Sequence, residues 1–187
     1  MNTNDKTKAV TGQLKVVKTN AEGVTTQEFE VPNLVVNSGL AYICQRMLDT
    51  GTGHTLPTDM SHMGVGSDSG AAVPGDTGLG AQNDARQEFD SYPVISNDGA
   101  GGPNNRITYV ATFGPGDSTG YYNPNLPSGQ QTVGGGPLVE AGIFNAEATQ
   151  VQADAGDVGT MLCRTVFLPV NKELGDTITI TWTVTIS

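Results

Sequence analysis

Residues Thr177 to Ile186 alternate without a break. Ile178, Ile180, Trp182, Val184 and Ile186 share one parity, and Thr177, Thr179, Thr181, Thr183 and Thr185 the other. Successive side chains of a strand point to opposite faces, so the segment fits a strand with one buried and one wetted face. A helix would wind the same isoleucines around its circumference. One wetted face points to an antiparallel sheet, because parallel sheets are covered on both sides. Asn105 to Phe113 repeats the pattern: Ile107, Tyr109, Ala111 and Phe113 oppose Thr108, Val110 and Thr112.

Composition agrees with these strands. Charged residues make up 15% of the 187, against a usual ~25%. Gly (25) and Pro (10) are abundant, the profile of short strands joined by Gly-rich loops. Helical bundles, coiled coils and highly charged disorder are excluded. The length suits one domain.

No apolar run reaches the ~18 residues of a membrane-spanning helix. The polar start lacks the apolar middle of a signal peptide, so synthesis in the cytoplasm without Sec-type export is expected. Cys44 and Cys163 form no metal-spaced pair and are expected to be two buried, reduced thiols.

The runs Val10 to Thr19 and Val24 to Val31 flank Asn20-Ala21-Glu22-Gly23, which predicts a hairpin ended by Pro32. Leu40, Ile43, Cys44, Met47 and Leu48 recur at helical period. They predict one helix lying on the sheet by that stripe, capped by Asn37 or Ser38, ended by Gly51, with Gln45, Arg46 and Asp49 towards water. Further strands are expected at Met60 to Gly66, Gln87 to Ile95 (interrupted by Pro93), Leu138 to Asn145 and Thr160 to Leu168. The predicted fold is mainly β: an antiparallel, jelly-roll-like β-sandwich over residues 10–187 with one α-helix packed on it. Long Gly-rich loops are expected at 66–84, 97–105 and 114–137. Residues 1–9 are expected to be a flexible basic arm.

Motifs that could carry catalysis fall short of their chemistry. Asp68-Ser69-Gly70 is the surround of a serine nucleophile, but His54 and His62 both lie just upstream and no orienting carboxylate is placed. Gly64-Val65-Gly66-Ser67-Asp68-Ser69-Gly70 has one residue too many for a dinucleotide loop and leads into no helix. His54, His62 and Asp59 lack diagnostic metal spacing. Asp68, Asp76, Asp84, Glu88, Asp90 and Asp98 lack a calcium-loop pattern and are expected to be solvated loop carboxylates. Glu140 lies inside a strand, and Arg164 in the next strand is its natural partner. One glutamate makes no glycosidase, which uses two. No catalytic, cofactor-binding or metal residue is assigned, and an enzyme is not expected.

The net charge of −10 repels phosphate backbones, so no nucleic-acid partner is expected. The first 18 residues nonetheless carry a balance of +3 and the remainder −13. Lys6 and Lys8 on the arm, and Tyr121 and Tyr122 in the 114–137 loop, are the candidate partner-contact residues. Arm and loops suit a protein that works by contact.

Several segments resemble a family of tailed-bacteriophage virion proteins. They are Val31-Pro32-Asn33-Leu34-Val35-Val36-Asn37-Ser38-Gly39-Leu40, His62-Met63-Gly64-Val65-Gly66-Ser67, Gly75-Asp76-Thr77-Gly78-Leu79-Gly80, Tyr109-Val110-Ala111-Thr112-Phe113, Val139-Glu140-Ala141-Gly142-Ile143-Phe144-Asn145, Gly159-Thr160-Met161-Leu162-Cys163-Arg164 and the final strand. The Gly-Asp-Thr and Glu-Ala-Gly-Ile-Phe blocks are also similar to the attachment modules of tail-collar fibres. The resemblance implies a particle component located in the virion. A final strand followed by no shaft or tip favours a capsid decoration or cement protein. It would bridge neighbouring subunits through residues 1–9 and the loops 66–84 and 114–137, as a two- or three-fold homo-oligomer on the major capsid protein. The alternative is a collar, fibre-anchoring or adaptor protein on tail proteins. A third reading, a binder of host-surface carbohydrate, would use Tyr121 and Tyr122. Neither a membrane nor a cofactor is implied.

Overall fold

The computed structural model describes residues 10–48, 53, 55–97, 104–118, 120–122, 132–134, 137–147 and 159–186. Their elements are β1 (Val10–Thr19), β2 (Thr25–Val35), α1 (Asn37–Arg46), β3 (His62–Gly66), β4 (Gln87–Glu88), β5 (Val94–Ser96), β6 (Arg106–Phe113), β7 (Gly120–Tyr122), β8 (Thr132–Gly134), β9 (Leu138–Phe144), β10 (Met161–Val170) and β11 (Thr177–Ile186).

Nine strands form one antiparallel sheet, ordered β4-β3-β9-β10-β2-β1-β11-β6-β5 and curled into a half-barrel. This corrects the expected two-sheet sandwich. Strand β2 is the reason. It pairs with β1 from Thr25 to Asn33 and with β10 through Leu34 and Val35, so hydrogen bonding passes unbroken from one half of the molecule to the other. Alternation alone cannot separate the two folds, since both give every strand one buried face.

Pro32 does not end the hairpin either; β2 runs through it to Val35. In a strand, a residue's N–H and C=O point to the same side. The Pro32 carbonyl accepts the Thr165 hydroxyl on β10 at 2.7 Å, so its missing N–H faces the side where pairing begins only at Leu34. No ladder bond to β1 is lost.

The inner face carries the core. Leu14, Val16, Ala111, Phe113, Ile143, Cys163, Ile178, Ile180 and Trp182 are fully or almost fully buried there. Along β11 the burial alternates as the sequence predicts from Thr177 to Thr185; Ile186, at the strand end, is exposed. Each of the larger side chains contributes roughly 1.5–3 kcal/mol by leaving water.

The segment predicted as a strand broken at Pro93 has a particular job. It forms β4 on the β3 edge of the sheet and β5 on the β6 edge. Between them the Phe89 N–H donates to Ser61 O (3.1 Å) and the Asp90 N–H to Val110 O (2.8 Å). The Asp90 carboxylate accepts from the Thr112 N–H (2.9 Å) and hydroxyl (2.7 Å). Phe89 packs on Tyr109, ring centroids 5.1 Å apart. Residues 87–96 thus strap the two edges together. Asp90→Ala removes two hydrogen bonds to Thr112, each contributing about 0.5–1.5 kcal/mol. The expected result is a lower urea midpoint and faster amide exchange at Asp90 and Thr112, with β1 unaffected; unchanged exchange at those two amides would remove the strap.

The 114–137 region also differs from a plain loop, because β7 and β8 pair as a two-stranded ribbon.

Candidate functional site

Gly64 and Gly66 on β3 and Gly142 on β9 share the outer face of the sheet, with Gly64 opposite Gly142 and Gly66 opposite Glu140. These glycines open a shallow bed, and residues 67–86 lie in it. Leu79 fills the space: a Cβ on Gly64 would come within 3.2 Å of it, and one on Gly142 within 3.1 Å. A Cβ on Gly66 would overlap the Ala81 carbonyl. The Arg86 guanidinium sits 3.4 Å above the Phe144 ring. Strand β9 is therefore buried at every residue, on both faces.

A charged knot fixes the same segment. Arg164 reaches Glu140 Oε2 through Nε (2.9 Å) and Nη2 (2.8 Å). Its Nη1 meets Asp76 Oδ2 at 2.8 Å, and its Nη2 meets Asp68 Oδ2 at 3.4 Å and Gly70 O at 3.1 Å. Glu140 accepts three backbone N–H groups as well: Ala81 (2.8 Å), Gly80 (3.1 Å) and Asp68 (3.3 Å). Glu140 is fully buried and Arg164 nearly so. With a guanidinium and three backbone donors on it, the glutamate acts as a clamp that pins a loop.

The Glu140–Arg164 pair is the one the sequence predicts. The roles of four loop acids are corrected, while Glu88 is exposed as expected. Asp68 and Asp76 join the knot, and Asp90 holds the strap. Asp84 accepts from the Ala85 and Ser118 N–H groups. Asp98 lies outside the described residues.

Helix α1 departs furthest from expectation. Its buried residues are Gly39 and Tyr42, with Ile43 partly buried against the core. A Cβ on Gly39 would overlap the Leu162 carbonyl, so the missing side chain lets helix backbone rest on strand backbone. That contact turns the helix about one residue from the predicted seat. Leu40, Cys44, Met47 and Leu48 face water, Met47 at 81% exposure. No side chain caps the helix, whose N-cap residue is Val36; the Ser38 hydroxyl donates instead to Met161 O at 2.9 Å. Arg46 donates to Pro57 O and pairs with Asp59 at 2.7 Å. Gly51, the predicted stop, lies outside the described residues.

Cys44 is exposed, against expectation, while Cys163 is buried, which pushes its thiol pKa well up. A second apolar patch lies at the strap, where Tyr92 just before β5 and Val94 and Ile95 on that edge strand are exposed.

The candidate contact residues are placed as follows. Lys6, Lys8 and the arm 1–9 lie outside the described residues. Tyr121 and Tyr122 are on β7, opposite Val133 and Thr132 of β8. His54 lies outside the described residues; His62 is buried beside the Ser61 hydroxyl at 2.7 Å. Among the described residues no three His, Cys, Asp or Glu side chains converge as a metal site, and no helix is long and apolar enough to cross a membrane. No family model, curated protein or solved structure matches this chain.

Proposed function

We propose that this chain is a structural protein of a tailed-bacteriophage particle, a capsid decoration protein that works by contact and not by catalysis. The observation that carries the reading is the outward apolar set at the end of α1: Leu40 and Cys44 on the helix, and Met47 and Leu48 in the turn just past it, all exposed. Contiguous exposed apolar surface marks interaction sites on folded domains. The resemblance of the quoted segments to virion proteins supplies the partner, the major capsid protein.

In this reading the half-barrel is a rigid block, and the clamped 67–84 segment belongs to the block. Bridging falls to the helix face, the basic residues 1–9 and the 114–137 segment. Several weak contacts, each repeated around the particle, add by multivalency. A two- or three-fold homo-oligomer follows the symmetry of the shell.

The test is the copy number on purified particles. A shell protein is expected on the order of hundreds of copies, following the repeating lattice. A number at the scale of a single ring assigns the chain to the tail instead, and absence from the particle ends the proposal.

A further inference from the structure

The outer face of the half-barrel carries a groove of about 480 Å3. Its principal side chains are Thr11, Gln13, Glu30, Arg106, Thr183 and Thr185. It crosses four interior strands near one end. Thr11 stands beside Thr185, and Thr185 beside Arg106; one row along, Gln13 stands beside Thr183. Neighbouring strands are ~4.8 Å apart, so these side chains form a short polar lattice. At the β2 side the Gln13 amide donates to the Glu30 carboxylate at 2.6 Å.

Arg106 stands out in this lattice. Its Nε is buried and has no acceptor, and among the described residues no carboxylate pairs with its guanidinium. The chain holds 19 acids for 9 bases, so carboxylates are plentiful. Lys15, Lys18, Arg46 and Arg164 have them, and Arg86 and Lys172 donate to amide or backbone oxygens. Arg106 as a whole is only half-buried, so the rest of its guanidinium remains open to the groove, and a cation with no carboxylate beside it gains a charge-assisted partner when an anion arrives.

We infer that this groove binds a sugar bearing a carboxylate, of the uronate type. The carboxylate meets Arg106 in a charge-assisted contact. The sugar hydroxyls meet the Thr11, Thr183 and Thr185 hydroxyls, and the far end of the ring meets Gln13 and Glu30. The volume is that of a small-molecule site. An extended peptide fits less well. The middle of the groove lies on β1, β11 and β6, whose backbone groups are engaged in ladders on both sides, and a peptide backbone would find no partners there. Side-chain hydroxyls, an amide and a carboxylate suit a polyhydroxylated ring. This site is separate from the helix face and does not rest on the decoration reading.

Methyl β-D-glucuronide and methyl β-D-glucoside, titrated into the 15N-labelled full chain, differ only at the carboxylate. The glucuronide is expected to shift the amides of Gln13, Arg106, Thr183 and Thr185 and to bind at least about tenfold more tightly, the size of a charged hydrogen bond. Arg106→Met should bring the two sugars to equal affinity while leaving the thermal midpoint unchanged or higher, since an unsatisfied donor is removed. Thr183→Val should weaken both sugars alike. No shifts at these amides, or a glucuronide preference that survives Arg106→Met, overturns the inference. So does tighter binding of hexaglutamate to the same amides, which would make the groove a peptide site.

Discussion

Replacing Glu140 with alanine is expected to lower folding stability by about 3–5 kcal/mol, the usual cost of removing one partner from a buried ion pair. In a domain of this size each kcal/mol moves the thermal midpoint by about 2–4 °C, so a fall of roughly 6–20 °C is expected. The carboxylate is fully buried and is shared by Arg164 and three backbone N–H groups. Alanine strands all four donors at once. Asp76 and Asp68 still touch Arg164 and recover part of the loss. Glu140→Gln keeps an acceptor for the backbone groups and loses the charge, so it should fall between wild type and alanine.

The double variant Glu140→Leu with Arg164→Met separates the clamp from the charge. Removing both partners leaves neither ion of the pair behind, while the Asp68, Gly80 and Ala81 N–H groups lose their acceptor and Asp76 its guanidinium, so part of the cost remains. The double variant should therefore be more stable than Glu140→Ala, with non-additivity of 0.5–3 kcal/mol as expected for touching residues. Limited proteolysis should cut the 67–81 segment first in both, since its hold on β9 and β10 is gone. A Glu140→Ala protein within about 1 kcal/mol of wild type would show that the knot does not hold the loop.

What the sequence made legible follows from local chemistry. The strand Thr177–Ile186 could be read because its period and its burial are the same fact. The β1–β2 hairpin could be read from Gly23, which takes φ +80 at the turn. Glu140 and Arg164 could be paired because an acid and a base inside adjacent strands each need a partner. Curling was not legible, because it depends on Leu34 and Val35 changing partner, and no residue type records that. Asp68 and Asp76 were not legible as ion-pair members. Their register with Arg164 is set by how Gly64, Gly66 and Gly142 admit the loop, a three-dimensional fit spread over about 80 positions. The signal was present in part: glycines at alternate positions of a strand leave room for something to lie on it.

The helix shows the same limit in sharper form, and it leads to the second large effect. Two stripes at helical period overlap in α1. One is Leu40, Ile43, Cys44, Met47 and Leu48, running one turn past the helix end; the other is Gly39, Tyr42 and Ile43. Hydrophobicity favours the first, and close approach at Gly39 selects the second. Apart from Ile43, the first stripe is thereby left facing water. Changing Leu40 and Met47 to glutamine keeps good helix formers in place and removes the apolar face. Folding stability should move by no more than about 0.5 kcal/mol, as for exposed sites. Binding to particles should fall on the order of 100-fold, as when central anchors of an interface are lost.

Cys44 gives an independent readout on the same face. It is exposed, whereas Cys163 is buried with its thiol pKa raised. Maleimide should therefore label the free protein at Cys44 alone. On the particle Cys44 should be protected, and in the Leu40→Gln, Met47→Gln protein it should label whether particles are present or not. If Cys44 labels equally fast on and off the particle while binding is intact, the helix face is not the contact. The apolar patch at Tyr92, Val94 and Ile95 is then the surface to substitute next.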